Sequence, residues 1–553
     1  MIKNNWYETV RDYTQKLVGI RSVSPGTGEI AVAEMVLHLL CADDMGACYT
    51  VSGLDPLEGD RYGRQNAYAF LQGRSSETLV LLGHIDTVDT KDYGPLEPWS
   101  LEPQELAKQE RLSELIGTDE ALGDWMFGRG VADMKSGVAI IIALMRRLAE
   151  ESQTTRLPLS VVMLATPDEE NESAGVLQAV QFLLDLRERY GLTYLGAINT
   201  DYVTSLYPGD PHRYIYSGTV GKLLPSFLCI GRESHVGTPF NGLDANLLAA
   251  ELIRDLSMND ELCETVRGQI TAPPVTLKST DLKTHYDVQL PFAAYFYLNV
   301  LTLTTGPGEL LERLQLRAET VLKQLLARVD RAEQRWRRAS NEQGWEERAQ
   351  PRSGAVLTYG ALYHETVQRL GEEHVLAELR DEWERCDRDP VDLDRRERSL
   401  KLVYRLWKLS GRQGPAVVLY YSPPYYPHVT ALPGRLQEAV SAVVQAHPDL
   451  NLEVQEYFPY LSDMSYLRLD PGEDLSGLKL NMPLWQSEEM GPRKGAYRLP
   501  LEGIQQLGLA VVNWGPYGQG AHQRDERVLM PYSFGTLPQL LYETIEHLAL
   551  LIE

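Results

Sequence analysis

Cysteine is scarce in this chain, five in 553 residues, and Cys41, Cys48, Cys229, Cys263 and Cys386 form neither a CxxC pair nor a framework spacing. That excludes a disulfide-stapled scaffold and reads as buried or free thiols in a reducing compartment, so a cytoplasmic location is expected. Long apolar runs are missing too: no stretch approaches the roughly 18 residues of a membrane helix, and the opening Met1-Ile-Lys-Asn-Asn-Trp6 has no apolar targeting core. No membrane span and no export are expected. Positive charge is in deficit, 53 Lys and Arg against 77 Asp and Glu for a net charge of −24, which repels polyanions and argues against nucleic acid as a partner. Internal repeats and low-complexity tracts are absent. What remains is ordinary globular composition, 43% hydrophobic and 24% charged. At about 150 residues per domain the length allows two to four domains.

Helical and strand periodicities alternate through the first two hundred residues. Trp6 to Val18, Ile30 to Leu40, Val138 to Leu148 and Ala174 to Leu186 carry helical apolar spacing, while 78–83, 159–165 and 195–199 are short apolar runs. This is the pattern of an α/β sheet covered by helices, with ligands expected at strand ends. From 211 to 427 the character changes to aromatic-rich strands, as at 293–300, and a long helix with the stripe Leu310, Leu311, Leu314, Val321, Leu322, Leu325 and Val329. A helix from Leu432 to Ala446, a strand at 508–513 and a helix from Leu537 to Ile552 then restore the first pattern. The expected organisation is one domain over 1–210 and 428–553, split around an inserted domain at 211–427. The mixed-charge run from Glu378 to Arg398 is read as a solvated helix face or loop.

Five segments place histidines or carboxylates just after apolar runs. In Gly83-His84-Ile85-Asp86 alternation puts His84 and Asp86 on one side, and a metal-bound imidazole commonly passes its second N–H to a carboxylate; the plain alternative is a hydrogen-bonded strand-end histidine. In Gly128-Arg-Gly-Val-Ala-Asp133 the aspartate precedes a helix and is explained equally by capping it, although the glycines permit a close approach to a ligand. Asp168-Glu169-Glu170-Asn171-Glu172 closes a strand as an acidic cluster, either a solvated turn or a site in which one carboxylate holds metal while its neighbour moves protons. Asp201 ends another strand, and His522 sits in the glycine-rich loop Gly518-Gln-Gly-Ala-His522. Two nitrogens and several carboxylates without thiolate suit zinc, with manganese or cobalt as alternatives, and the ligand number suits two metal ions bridged by one carboxylate.

The order His84-x-Asp86, Asp133, Glu169-Glu170, Asp201, His522 resembles the zinc-dependent M20-type family that contains acetylornithine deacetylase, succinyl-diaminopimelate desuccinylase, aminoacylase and the glutamate carboxypeptidases. The segment from Gly231 through His235 to Ala245 is similar to that family's lid-domain histidine motif. The resemblance implies a central mixed β-sheet covered by helices, with an inserted α+β lid and dimerisation domain. It implies that His84 and Glu170, or Asp201 with His522, cap two divalent metal ions bridged by Asp133, that Asp86 orients His84, and that Glu169 is the general base. It also implies that His235 binds substrate and stabilises the oxyanion, and that the chain forms a homodimer. Within the family, the Gly242-Leu-Asp-Ala-Asn246 context, the large insertion and Leu461-Ser-Asp-Met-Ser465 are similar to an arginine-utilisation member. The gap of 47 positions from Asp86 to Asp133 and the strand Tyr297-Leu-Asn299-Val300, which lacks a carboxylate-binding arginine, depart from the family pattern.

The expected function is metal-dependent hydrolysis of an amide or peptide bond in a small amino-acid derivative or short peptide, in arginine or ornithine catabolism. The competing reading is a non-catalytic amino-acid-binding or regulatory protein on the same scaffold. A two-metal phosphoesterase is a third, and it requires Arg129, Lys135 or Arg524 to grip phosphate.

Overall fold

The computed structural model describes residues 6–110, 112, 122–340, 352–388, 393–470, 472–487, 493 and 495–552. Two compact units divide the chain: unit 1 is Met1–Val220, His428–Asp470 and Pro500–Glu553, and unit 2 is Gly221–Pro427 and Pro471–Leu499.

Unit 1 opens with helices α1 (Trp6–Val18) and α2 (Gly28–Cys41), then strands β1 (Val51–Pro56), β2 (Gln65–Leu71), β3 (Glu77–His84) and the short β4 (Trp125–Phe127). Helix α3 (Lys135–Ser152), β5 (Ser160–Thr166), α4 (Ala174–Tyr190), β6 (Thr193–Asn199) and β7 (Arg213–Tyr216) follow. In unit 2 come β8 (Gly221–Ile230), α5 (Ala245–Leu256), the small hairpin β9 (Thr265–Val266) and β10 (Gln269–Ile270), β11 (Val275–Asp281) and β12 (Ala293–Thr302). They lead to the long α6 (Pro307–Ala339), β13 (Ala355–Thr358), α7 (Tyr359–Leu370), α8 (Glu372–Arg388), α9 (Arg395–Ser410) and β14 (Ala416–Tyr426). The chain returns to unit 1 with α10 (Arg435–Ala446), β15 (Leu452–Gln455), β16 (Val511–Asn513), β17 (Gly518–Gln519), β18 (Arg527–Leu529) and α11 (Leu537–Leu550).

The unit 1 sheet has eight strands in the order β1-β2-β5-β3-β6-β16-β7-β15. Neighbours β5, β3, β6 and β16 run parallel, whereas β1, β2 and the β16–β7 junction are antiparallel, so the sheet is mixed and the fold is α/β. Strand β3 is buried on both faces, with Leu79, Val80, Leu81 and Leu82 all at zero exposure, because it lies mid-sheet with α3 against it. That burial explains why the run is apolar throughout rather than alternating. Each such side chain contributes about 1.5–3 kcal/mol on burial, which makes the β3–β5–β6 block a rigid platform. Unit 2 holds a five-stranded sheet, β11-β12-β8-β14-β13, antiparallel except for the last pair.

The division differs from the sequence boundaries in two places. Residues 211–220 stay with unit 1, because β7 hydrogen-bonds to both β16 and β15. Pro471–Leu499 joins unit 2 instead of the C-terminal segment expected to run unbroken from 428 to 553: Asn481 Oδ1 accepts the Gly360 N–H at 2.9 Å, and the Tyr497 hydroxyl accepts the Tyr425 N–H at 2.9 Å. All five cysteines are free. Among the described residues no helix is long and apolar enough to cross a membrane.

Candidate metal centre

Parallel strands bring their carboxyl ends to one edge of the sheet, where ligands of α/β folds gather. His84 ends β3, directly beside Thr166 at the end of β5, and the turn after Thr166 carries Glu169 and Glu170. Strand β6 ends two residues before Asp201. Asp133 lies just before α3, and it does not cap that helix: Met134 stands at the cap and no side-chain cap bond forms. The small antiparallel sheet β17-β18-β4 delivers the last residue. Arg527 pairs with Phe127, which docks the hairpin carrying His522 on the loop carrying Asp133.

Asp133 is the hub of the cluster. One carboxylate oxygen lies 3.0 Å from His84 Nε2 and the other 3.2 Å from His522 Nε2. His522 Nε2 is also 2.9 Å from Glu170 Oε1, and His84 Nε2 is 3.9 Å from Glu169 Oε2. Two groups have ligand atoms mutually within 4.8 Å, His84 with Asp133 and Asp201, and Asp133 with Glu170 and His522. They share Asp133.

Asp86 does more than the sequence suggests. His84 Nδ1 is 3.2 Å from the main-chain oxygen of Asp86 and 3.6 Å from its carboxylate, while that carboxylate accepts the backbone N–H groups of Glu169 and Glu170 at 3.1 and 3.0 Å. One residue thus orients the imidazole with its backbone and the two glutamates with its side chain. Asn513, on β16, grips Asp201 on both sides: its Oδ1 accepts the Asp201 N–H and its Nδ2 donates to the Asp201 carbonyl, each at 3.0 Å.

Glu526 plays the corresponding part for Asp133 and His522. Its buried carboxylate accepts the N–H groups of Gly130, Ala132 and Asp133 at 2.8, 3.1 and 3.3 Å and Arg129 Nη1 at 2.6 Å. Arg129 in turn binds Asp92 and lies over the Tyr93 ring. Glu526 therefore locks together the two loops that carry Asp133 and His522, from opposite parts of the chain. Outer contacts of this kind are worth 10–100-fold in metal affinity. Glu526→Gln, which keeps one acceptor oxygen, is expected to weaken zinc binding to the stripped protein about 10-fold by calorimetric titration, and Glu526→Ala about 100-fold. Unchanged affinity in the alanine variant would show the contact to be idle.

Burial and like charge shape the electrostatics. Burial, then repulsion from Asp133, pushes the Asp201 carboxyl well above the usual carboxylate range against the pull of His84, with a further push from Glu170. Glu169 is pushed well up by burial and by Glu170, Asp463 and Asp201, with His84 opposing. Burial disfavours charge on the two imidazoles, but hydrogen bonds to carboxylates outweigh it: His84 is driven well above the usual imidazole value by Asp133 and Asp86, and His522 up to about 11 by Asp133 and Glu170. Five carboxylates, Asp86, Asp133, Glu169, Glu170 and Asp201, thus crowd around two imidazoles and call for positive charge. Oxygen and imidazole donors without thiolate are the set that borderline divalent ions take. The residues fit a pair of such ions.

Residues 80–477 match the profile of peptidase family M20/M25/M40. The chain belongs to this family. It is 33% identical over 550 residues to protein YqjN of Bacillus subtilis, covering 96% of this chain and 95% of that one. To protein RocB of the same organism it is 31% identical over 570 residues, covering 98% and 95%. Succinyl-diaminopimelate desuccinylase of Wolinella succinogenes is 27% identical over 293 residues, 51% of this chain and 68% of that one. Aminopeptidase PepT of Bacillus cereus shares the fold, with a TM-score of 0.51 at 11% identity over 98% of this chain and 99% of that chain. As an M20 member the chain is a metal-dependent hydrolase, and the readings as a non-catalytic amino-acid-binding or regulatory protein and as a phosphoesterase fall away. Arg129 and Lys135 are buried and engaged, Arg129 with Glu526 and Asp92 and Lys135 with the carbonyls of Leu17 and Ile20, so neither is offered to a phosphate.

The centre of this M20 chain draws in residues to which sequence reading attached no role. Glu526 lies just beyond the glycine-rich segment Gly518–His522, and a carboxylate four positions after His522 is its only local signal. Asn513 carries none, since an asparagine at a strand end is unremarkable. His235 belongs to unit 2, in the loop after β8, where its exposed ring accepts the Gly237 N–H at Nδ1 at 3.0 Å.

Proposed function

We propose that this M20 enzyme hydrolyses an amide or peptide bond in a small amino-acid derivative or short peptide, with Glu169 as the general base and two divalent ions, zinc by preference and manganese or cobalt as alternatives. The observation that carries the reading is the pair of three-residue groups sharing Asp133, with Glu169 beside them. His84, Asp133 and Asp201 would hold one ion and Asp133, Glu170 and His522 the other. Bound there, the ions supply Lewis acidity that polarises the scissile carbonyl and acidifies the attacking water.

The rest is the work of the chain. Glu169 takes a proton from the attacking water and returns it to the departing nitrogen, and its raised proton affinity matches a group that must both accept and give. The Asp86 clamp on the backbone of Glu169 keeps the carboxylate near His84 through both transfers. His235 of unit 2 is assigned the oxyanion, and this part of the reading rests on the lid-motif resemblance. That resemblance also supports reading the inserted region, expected over 211–427 and represented in the structure by unit 2, as lid and dimerisation domain, with the protein working as a homodimer. Similarity to RocB supports placing the substrate in arginine or ornithine catabolism.

The test is metal content of the purified protein together with hydrolysis of a panel of N-acyl amino acids and dipeptides before and after chelation. We expect two ions per chain, loss of cleavage on chelation and recovery with added zinc, manganese or cobalt. Cleavage that survives complete metal removal would overturn the reading.

A further inference from the structure

Leu461-Ser-Asp-Met-Ser465 supplies no candidate ligand, yet it packs along the strand ends that carry the centre. Ser462 Oγ accepts from Asn199 Nδ2 at 2.9 Å at the end of β6, and Asp463 Oδ2 accepts from Thr166 Oγ1 at 2.9 Å at the end of β5. Asp463 also accepts a hydrogen bond from the Ser173 side chain. It is buried, and its second oxygen, Oδ1, has no hydrogen-bond partner among the described residues. Such an oxygen costs folding free energy, and few buried polar atoms in folded proteins are left that way.

Thr166 and Ser173 are the two ends of the turn that presents Glu169 and Glu170. Both ends need holding. Ser173 has a left-handed φ of 55° and Asp168 one of 76°, conformations that non-glycine residues rarely adopt. Ser173 stands at the cap of α4 but its side chain does not bond the helix, as a capping serine ordinarily does. It turns to Asp463 instead. Inside the turn, Asp168 is held by Arg64 and by Ser24 Oγ, and above it Asp86 holds the two glutamate N–H groups; backbone bonds from Ser173 N–H to the Asp168 carbonyl at 2.6 Å and from Gly175 N–H to the Pro167 carbonyl at 3.1 Å close the turn, and Asp463 adds a side-chain bridge from Thr166 to Ser173.

We propose that Asp463 is a positioning residue, a clasp that ties Thr166 to Ser173 and so fixes the turn from which Glu169 and Glu170 project. The inference rests on the assignment of Glu169 as base. Burial pushes the Asp463 carboxyl up to about 7, against the pull of His84 and the bonds from Ser173 and Thr166, so near neutral pH asparagine is a close copy of it.

Five full-length, zinc-loaded proteins test this: wild type, Asp463→Asn, Asp463→Ala, the pair Thr166→Val with Ser173→Ala, which removes the clasp while keeping the carboxylate, and the triple variant that combines Asp463→Ala with that pair. Three readouts are followed, amide hydrogen exchange at Glu169 and Glu170, steady-state kinetics on the best substrate of the panel, and zinc content. We expect Asp463→Ala and the Thr166/Ser173 pair each to speed exchange in the turn at least 10-fold and lower kcat 10–100-fold. KM should stay within about threefold and zinc content at the wild-type value; the combined triple variant should add nothing further, as for residues acting through one contact. Asp463→Asn should restore most of both. Wild-type exchange in Asp463→Ala, additive losses in the triple variant, or fast exchange with unchanged kcat would each overturn the clasp. Should Glu169→Gln keep full turnover, the base assignment falls, and the exchange data still decide whether Asp463 holds the turn.

Discussion

Glu169→Gln is expected to lower kcat by about 10²–10⁴-fold, the usual worth of a positioned acid–base group, with zinc content and thermal midpoint close to wild type. The geometry separates these readouts. Glu169 is held through its backbone N–H by Asp86, and in neither three-residue group is its carboxylate a member. Glutamine keeps the volume and the backbone bond and removes only the ability to take a proton. Glu169→Asp, which draws the carboxylate back by one methylene, should fall between the two, because proton transfer requires heavy atoms within about 2.6–3.2 Å. A Glu169→Gln protein that turns over at the wild-type rate would remove the base from the mechanism, and one that loses zinc in step with activity would make Glu169 a ligand.

Asp133→Ala should have the larger effect. Both candidate groups contain Asp133, so its removal takes one ligand from each ion at once. It also leaves His84 and His522 without the carboxylate that pairs with both. Zinc stoichiometry should fall from two per chain to below one at micromolar metal. Turnover should drop by about 10³-fold or more, since the several kcal/mol of charge stabilisation that bound ions supply is lost at about 1.4 kcal/mol per factor of ten. Asp201→Ala and Glu170→Ala each remove a ligand from one group only, and each should retain close to one ion. If Asp133→Ala still binds two, the bridge is wrongly placed.

Much of this centre was readable from residue order. Asp133, Glu170, Asp201 and His522 were singled out from strand-end carboxylates and histidines, and the structure brings them round His84. The helices were equally plain where packing follows periodicity, as in α1, whose apolar positions put Trp6, Val10, Leu17 and Val18 inside. Local reading failed where the partner is remote. Asp133 looks like a helix cap until its oxygens are seen to reach His84, 49 residues back, and His522, far ahead. The strand expected over 508–513 is only Val511–Asn513, because Gly508, in the left-handed region, closes the helix Leu501–Leu507 before it. The 471–499 segment departs to unit 2 on the strength of side-chain bonds from Asn481 and Tyr497 that no periodicity records.

The sequence by itself determined the candidates: which side chains can bind a divalent ion, that one of two adjacent glutamates can move protons while the other holds metal, and which apolar runs form the platform beneath them. These follow from residue type and short-range spacing. Only the tertiary structure decided that one aspartate serves both histidines, that Glu526 locks the loops of Asp133 and His522 together, and that Asp463 reaches the two ends of the glutamate turn. Those depend on parallel strand register and on hydrogen bonds spanning hundreds of residues, for example 297 between Thr166 and Asp463, and hydrogen-bond geometry is satisfied only once the sheet has brought both partners to the same edge.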